Sequence, residues 1–240
     1  MTEPRQQLLE LLSDRSFKLG EFKLSSGATS DYYIDCRTTT LHAEGARLSG
    51  RVVLDKIKHR GWQPQGIGGM TLGADPIVTA VSVLSAQAVQ TRFPARSKDF
   101  DREPFFIHGF LVRKAEKAHG TAQRIEGFQE QGAKVVIVED VCTTGASTIA
   151  AIEAARQAGM KVIGIICLVE REEAGGRANI EKAAGDAEFI SIFKASEVRA
   201  EHLKRKADPT AFAPSAKCDL CDRPAVTNSP RNACEVHRAG

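Results

Sequence analysis

Apolar and polar residues follow one another along the middle of the chain in blocks that are typical of alternating strands and helices. Short apolar runs at 66–70, 135–138 and 162–169 predict buried strands. Helical spacing of apolar residues follows two of these strands, at 73–84 and 147–158. Strands that alternate with helices predict an α/β fold in which a parallel sheet is flanked by helices on both faces.

The flanking regions predict smaller elements. Residues 4–12 carry leucines at helical spacing and predict a short helix, whereas 17–37 have near-alternating apolar positions and predict a small strand region. Residues 42–60 predict an amphipathic helix, and 105–112 and 188–194 add two candidate strands. The sheet is therefore expected to contain more strands than the three buried ones.

Net charge separates the end of the chain from its body. The 240 residues carry a formal charge of +3, and residues 199–240 hold 8 basic and 5 acidic side chains, so the body is neutral. A neutral body with 42% apolar and 26% charged residues is typical of a globular protein and argues against a disordered chain, a coiled coil or a general nucleic-acid binder. A proline-containing linker at 208–217 is expected to separate a main domain, 1–207, from a tail, 218–240.

The sequence also bears on location. No apolar run approaches the roughly 18 residues needed to span a bilayer. Glu3 and Pro4 stand where a secretory signal would be basic and then strongly apolar, so we expect a cytoplasmic protein. Its six cysteines are then expected to be reduced.

Three of those cysteines and a histidine crowd into the tail. The set has the spacing of two ligand pairs for tetrahedral zinc: Cys218, Cys221, Cys234 and His237. A tail this short cannot build a core alone, so a structural Zn²⁺ would have to supply its folding energy. The alternative is an unfolded tail with incidental thiols.

The strongest candidate for chemistry lies at residues 135–147, VVIVEDVCTTGAS. An apolar strand leads into Glu139 and Asp140, and the small hydroxyl-rich loop 143–147 then opens a helix, where backbone N–H groups and the helix dipole favour a phosphate. Carboxylates beside such a loop suit sugar hydroxyls or Mg²⁺ on the same ligand. The alternative is an ordinary strand-to-helix turn in which Asp140 caps the helix.

This segment resembles the motif with which type I phosphoribosyltransferases bind phosphoribosyl pyrophosphate. The resemblance implies that Glu139 and Asp140 hold the ribose hydroxyls and that 143–147 bind the 5′-phosphate. The implied contact residues are Glu139, Asp140, Val141, Cys142, Thr143, Thr144, Gly145, Ala146 and Ser147.

A basic cluster occurs in VRKAEKAHGTAQRIEG, residues 112–127, and alone would be interpreted as a solvated surface. It resembles the mobile loop of orotate phosphoribosyltransferases, although the order Ala115-Glu116 departs from the expected pattern. The resemblance implies that the loop closes over pyrophosphate and that its cationic side chains bind phosphoribosyl pyrophosphate. These are Arg113, Lys114, Lys117 and His119.

Three more segments are similar to the same family. FKLSSGATSDYYIDCR, 22–37, implies orotate contacts from Tyr32 and Tyr33, although Ser25 stands where some members have a lysine. VEREEAGG, 169–176, places Arg171 beside the expected orotate, where Thr143 is also implied, and an anionic base suits a guanidinium. The alternative for that arginine is a surface ion pair with a neighbouring glutamate, Glu170 or Glu172.

The third segment is GGMTLGADP, 68–76, which is similar to the family's pyrophosphate loop. In it, Gly68 and Gly69 are expected to let the backbone approach the ligand closely. The resemblance covers about residues 1–200, with a small N-terminal hood mainly within 1–40.

The resemblance implies a Mg²⁺-dependent transferase that forms orotidine 5′-phosphate and pyrophosphate from orotate and phosphoribosyl pyrophosphate. In such a reaction Lys117, His119, Arg113 and Asp140 would act catalytically by stabilising developing charge. A homodimer that shares the loop across its interface is also implied. Two alternatives remain open: a phosphoribosyltransferase for another base, and a regulator that keeps the fold and uses a zinc module to bind nucleic acid or protein.

Overall fold

The computed structural model describes residues 3–23, 29–92, 106–114 and 124–207. Contacts divide the chain into two units, Met1–Arg199 and a second one that begins at Ala200. Of the second unit the structure describes only 200–207, the end of a helix. The sheet and the candidate site described below belong to the first unit.

A six-stranded sheet lies at the centre of the first unit. Its strand order is β5-β4-β3-β6-β7-β8, and all neighbouring pairs are parallel except β4 with β5. Strand bounds are β3 Gly66–Met70, β4 His108–Val112, β5 Ile125–Gly127, β6 Lys134–Cys142, β7 Lys161–Glu170 and β8 Glu188–Lys194. The predicted parallel sheet is thus confirmed, with one antiparallel strand at its edge.

Helices cover both faces of this sheet. Successive side chains of β6 point to opposite faces of the sheet. Val136 and Val138 therefore join one apolar cluster, and Val135 and Ile137 join the other. The first cluster packs α1, α3 and α4 on the sheet, and the second packs α5 and α6. Helix bounds are α1 Pro4–Leu11, α2 Arg37–Thr40, α3 Ala43–His59, α4 Asp75–Arg92, α5 Ala146–Gln157, α6 Gly176–Ala184 and α7 Ala195–Ala207.

A separate two-stranded sheet forms the N-terminal hood. Strands β1, Phe17–Lys23, and β2, Thr29–Ile34, pair antiparallel, with Phe17 opposite Ile34. The ring of Phe17 stacks on that of Tyr32 at a centroid distance of 5.3 Å. Apolar side chains on the two strands therefore pack the hood against the core. The small strand region predicted at 17–37 is confirmed.

Several predicted bounds were wrong. Helix α4 runs to Arg92 instead of ending at 84, and β6 continues through Glu139 to Cys142, so the two acids lie within the strand and not after it. Sequence patterns missed β5, α6 and α7, because short or weakly amphipathic segments produce little periodic signal. No helix among the described residues is long and apolar enough to cross a membrane.

Candidate active site

A cavity of about 990 Å³ opens where the carboxyl ends of β3, β6 and β7 face the hood. This is the edge at which open α/β sheets bind ligands. Its described lining residues come from the segments 29–37, 70–73, 139–147 and 171–174, together with Lys23 and Lys114. The cavity therefore brings together most of the segments that the sequence singled out.

The two acids of β6 lie at the floor of this cavity. Glu139 is 7% exposed, and its Oε2 accepts a hydrogen bond of 3.0 Å from Oγ1 of Thr148. Burial, followed by the charge of Asp140, raises the pKa of Glu139 to about 8. Burial also raises the pKa of Asp140, against the opposing effect of the hydrogen bond that its Oδ1 accepts from the Val141 N–H. Two adjacent carboxyl groups in this setting favour a bound cation or hydroxyl donors.

Helix α5 begins directly after the loop that follows β6. Its N-cap is Gly145, which has a φ of +81°, a left-handed conformation that favours glycine. A Cβ at this position would also lie 2.7 Å from Cγ1 of Ile180. The alternative in which Asp140 caps this helix is therefore wrong, because the cap lies five residues later and uses no side chain.

Only part of this loop faces the cavity. Val141, Thr143, Thr144 and Ser147 line it, whereas Gly145 and Ala146 do not. Cys142 does not line it either, since the side chain is 1% exposed and its backbone N–H donates to Sγ of Cys167. Hydroxyl side chains at the start of α5 thus face the cavity beside the helix N-terminus, as a phosphate site requires.

The glycines of β3 pack closely against neighbouring strands, and the expected approach of a ligand to Gly68 and Gly69 stays a prediction. A Cβ on Gly68 would lie 2.4 Å from the Phe110 ring, and one on Gly69 would lie 2.1 Å from the Val138 carbonyl oxygen. Neither glycine lines the cavity. The part of this segment that does is Met70, Thr71, Leu72 and Gly73.

Arg171 also lines the cavity, where it is buried and not a surface ion-pair residue. Its side chain is 7% exposed, and its guanidinium lies over the Tyr32 ring, 4.5 Å from the centroid. The ion-pair partner is Glu173, at 3.0 Å from Nη2. The two glutamates suggested by the alternative pair elsewhere: Glu170 with Arg177, and Glu172 with Lys194.

Tyr32 and Glu173 complete this cluster. The hydroxyl of Tyr32 donates to Oε1 of Glu173, and burial followed by that bond raises the pKa of Tyr32 to about 12. Burial opposes ionisation of Glu173, but the hydrogen bond from Tyr32 and the charge of Arg171 outweigh it and hold the pKa of that carboxyl below its ordinary value. Tyr33 is 39% exposed and also lines the cavity.

The basic cluster lies only partly within the described residues. Lys114 lines the cavity, and Arg113, whose side chain is 42% exposed, forms an ion pair with Glu126 at 3.3 Å. Lys117 and His119 lie outside the described residues. The four tail residues Cys218, Cys221, Cys234 and His237 lie outside them as well, and within the described ranges no group of three or more metal-binding side chains occurs.

Sequence reasoning missed several residues that shape the cavity. Thr148 binds Glu139, Glu173 binds Arg171, and Ser30 accepts a 3.0 Å hydrogen bond from Nη2 of Arg171. Arg37 also lines the cavity and forms two hydrogen bonds with the carboxylate of Asp35. The position of these polar residues beside recognised motifs was a signal that they could belong to the site. Their hydrogen-bond partners, however, lie as many as 141 positions away, and residue spacing in the sequence does not reveal such contacts.

Comparisons with known proteins agree with this geometry. Residues 109–203 match the family model described as Phosphoribosyl transferase domain. The orotate phosphoribosyltransferase of Aquifex aeolicus is 40% identical over 197 residues, which cover 81% of this chain and 97% of that relative. The chain belongs to the orotate phosphoribosyltransferases. Their reaction transfers ribose 5-phosphate from phosphoribosyl pyrophosphate to orotate, and this chain is accordingly a transferase of pyrimidine nucleotide synthesis.

Other members of the family support the assignment. The orotate phosphoribosyltransferase of Nostoc is 43% identical over 172 residues, covering 71% of this chain and 75% of that protein. The Mycobacterium tuberculosis orotate phosphoribosyltransferase, solved in complex with 5-phospho-α-D-ribosyl 1-diphosphate, is 31% identical with a TM-score of 0.60. That match covers 82% of this chain and 99% of the other. The α/β fold is thus shared over about four-fifths of the chain.

Proposed function

We propose that the cavity binds phosphoribosyl pyrophosphate and orotate side by side, and that the reaction requires Mg²⁺. The observation that carries this proposal is that one cavity is lined by a buried arginine, by two adjacent acids and by a lysine, namely Arg171, Glu139, Asp140 and Lys114. The hydroxyl groups of the sugar suit acidic side chains and the phosphate groups suit cationic ones, so the ligand needs both kinds of side chain in different parts of one cavity. The solved complex of the M. tuberculosis relative with phosphoribosyl pyrophosphate supports the same ligand.

The start of α5 is proposed to hold the 5′-phosphate. Thr143, Thr144 and Ser147 offer hydroxyl donors there, and the N-terminus of a 12-residue helix adds partial positive charge. Glu139 and Asp140 would accept hydrogen bonds from the ribose hydroxyls. Ring and phosphate are thereby oriented with the anomeric carbon toward the base.

Charge then accounts for catalysis. As N1 of orotate loses its proton and forms a bond to the anomeric carbon, the bond to pyrophosphate breaks and its electron pair leaves with the pyrophosphate, which can accept that proton. Lys114, Arg113, Lys117 and His119 are proposed to stabilise that growing negative charge. The negative charge of Asp140 would stabilise the cationic sugar ring, and closure of the loop would exclude water.

The donor set fits Mg²⁺. This ion prefers oxygen ligands and is commonly bound by one or two carboxylates together with substrate phosphates. Glu139 and Asp140 both line the cavity, so these two would hold the ion. When bound, Mg²⁺ supplies positive charge to the departing pyrophosphate.

Arg171 is proposed to recognise the base. Its buried guanidinium suits an anionic planar ligand with carbonyl or carboxylate oxygens, and Tyr32 and Tyr33 supply aromatic faces and edges beside it. Thr143 lines the same cavity and would contact orotate from the opposite side.

We also propose a homodimer. Leu41 is 71% exposed and Val83 is 50% exposed, and both line an apolar groove between α3 and α4. Exposed apolar surface of this kind favours association. Light scattering should give twice the chain mass, and Val83→Asp should shift it toward the monomer; a wild-type monomer at micromolar concentration would contradict the proposal.

The tail is proposed to be a separate zinc module, joined by the linker 208–217 to a main domain of 1–207. The support is the spacing of Cys218, Cys221, Cys234 and His237. Metal analysis of the purified protein should find near-stoichiometric zinc that Cys234→Ser abolishes. Absence of zinc from the wild-type protein would reject the zinc module.

The cytoplasmic location expected from the sequence stays a prediction.

The base is tested directly with a panel. Orotate, uracil, hypoxanthine and adenine are each incubated with phosphoribosyl pyrophosphate, with and without Mg²⁺, and the nucleotide product is measured. Product from orotate alone, and only with Mg²⁺, is expected. Product from another base would favour the alternative transferase, and product from none would favour the regulator.

A further inference from the structure

The polar cluster around Arg171 joins the hood to the main sheet. Oε1 of Glu173 accepts from the Tyr32 hydroxyl, from Nε of Arg171 at 3.1 Å, and lies 3.0 Å from Nη2. One carboxylate oxygen thus bridges a residue of β2 and a residue that directly follows β7. Loss of this carboxylate would loosen both partners at once.

The hydrogen bonds of the guanidinium lie on one of its edges. Nε donates to the Tyr32 hydroxyl at 3.1 Å and to Glu173, and Nη2 donates to Oγ of Ser30 at 3.0 Å. A guanidinium has five N–H donors in a fixed planar fork. Among the described residues, no hydrogen bond of Arg171 uses Nη1, so the donors on that nitrogen are left for a ligand in the cavity.

The face of the guanidinium is constrained as well. Arg171 stacks over the Tyr32 ring, and that ring stacks in turn on Phe17 of the core. The backbone N–H of Arg171 donates to the Cys142 carbonyl at 2.9 Å, so the base of the side chain is also held. What remains free to vary is rotation of the fork within its plane, and the contacts from Glu173 and Ser30 oppose that rotation.

We propose that Glu173 is a positioning residue for the base, which fixes the fork of Arg171 so that its remaining donors meet orotate. The inference rests on the proposed role of Arg171 in orotate binding. Glu173 holds Arg171 and Tyr32 together, and the arriving base meets a prearranged donor pair and not a mobile side chain. Prearranged polar groups bind more tightly because less conformational entropy is lost.

A competing role for Glu173 would have the opposite effect on orotate binding. A carboxylate that merely occupied the anion site of Arg171 would compete with orotate, and its removal would tighten orotate binding. Glu173 instead bonds the edge formed by Nε and Nη2 and shares its oxygen with Tyr32. The two roles predict changes of opposite sign in the KM for orotate.

Glu173→Ala tests the inference by steady-state kinetics with each substrate varied. The expected result is a KM for orotate raised about tenfold, since a hydrogen-bonded charged partner is lost, with the KM for phosphoribosyl pyrophosphate within about twofold and kcat within about threefold. Glu173→Gln keeps an acceptor oxygen, so its KM for orotate should lie between those of Glu173→Ala and the wild type. Tyr32→Phe combined with Glu173→Ala should raise the KM by less than the product of the single effects, because both remove the same bond.

Glu172→Ala is the matched control. This neighbouring glutamate accepts from the N–H and Oγ of Ser196 and does not line the cavity, so both KM values should stay at the wild-type level. A lowered KM for orotate in Glu173→Ala, or an equal rise in both KM values, would overturn the inference.

Arg171→Ala separates this inference from the proposed function. If Arg171→Ala raises the KM for orotate and Glu173→Ala does not, only the positioning role fails. If Arg171→Ala leaves that KM unchanged, the proposed role of Arg171 fails and the inference about Glu173 fails with it. A rise in both variants, confined to orotate, supports both.

Discussion

The backbone at Gly73 packs so closely on Asp140 that a Cβ atom on Gly73 would lie 2.3 Å from Oδ1 of the carboxylate. Both residues line the cavity, one from the segment after β3 and the other from β6. Even a methyl group at Gly73 must therefore displace the carboxylate that we propose to face the ribose.

Gly73→Ala is expected to raise the KM for phosphoribosyl pyrophosphate by about tenfold, because the misplaced carboxylate loses hydrogen bonds to the ligand. Gly61→Ala is the comparison, since Gly61 has a φ of +66° with open space around it. That variant should lower the melting temperature and leave the KM unchanged. Unaltered kinetics in Gly73→Ala would show that Asp140 can move without cost.

Thr148→Val should weaken binding of phosphoribosyl pyrophosphate through Glu139. The hydroxyl of Thr148 donates to a carboxyl group that is 7% exposed, and valine leaves that oxygen without this donor. A hydrogen bond to an uncharged group contributes about 0.5–1.5 kcal/mol, which predicts a rise in KM of about two- to tenfold. Thr148→Ser keeps the hydroxyl and should behave like the wild type; equal effects of valine and serine would instead indicate a packing role.

The buried carboxyl of Glu139 predicts a dependence of stability on pH. Its pKa is raised from 4.5 to about 8, so the folded state binds this proton more tightly than the unfolded state does. The resulting stabilisation is complete below about pH 4.5 and is lost as the pH rises through about 8.

Glu139→Gln removes this titration and retains an oxygen that can accept from Thr148. The melting temperature of the variant should exceed that of the wild type by several degrees near pH 8.5, and the difference should shrink toward pH 5. Thermal unfolding of the ligand-free proteins across this range measures it. A difference that does not vary with pH would show that Glu139 does not titrate there.

Lys117→Ala is expected to lower turnover far more than it weakens binding of phosphoribosyl pyrophosphate, since the proposed contact forms as the pyrophosphate departs. Loss of one such donor typically costs about 10²–10³ in kcat. Steady-state kinetics and calorimetry measure the two quantities, and Lys18→Ala, on the exposed side of β1, is the control. Equal losses in turnover and affinity would contradict the role.

Local sequence was sufficient wherever the site depends on neighbours in the chain. Glu139, Asp140 and the loop to Ser147 form one strand-turn-helix segment, so their order alone singled out residues that line the cavity. The same holds for β3, whose predicted bounds 66–70 are those observed. In both cases the periodic pattern and the special turn residues lie within a few positions of each other.

Contacts between distant segments were decided by the tertiary structure. The sequence suggested Glu170 or Glu172 as the partner of Arg171, but the short helical turn after β7 brings Glu173 to it. Likewise, the sheet places the glycines of β3 against Phe110 and the backbone of β6.

The sequence by itself therefore determined the α/β fold through its periodicity, and motifs of adjacent residues carried the resemblance to the family and placed the acid pair next to the loop 143–147. The tertiary structure decided that Arg171 is buried, that Glu173 and Ser30 hold it from one edge, and that Thr148 supports Glu139. Those relationships depend on how the hood and the helices pack on the sheet. Spacing along a chain carries no information about such packing until the chain has folded.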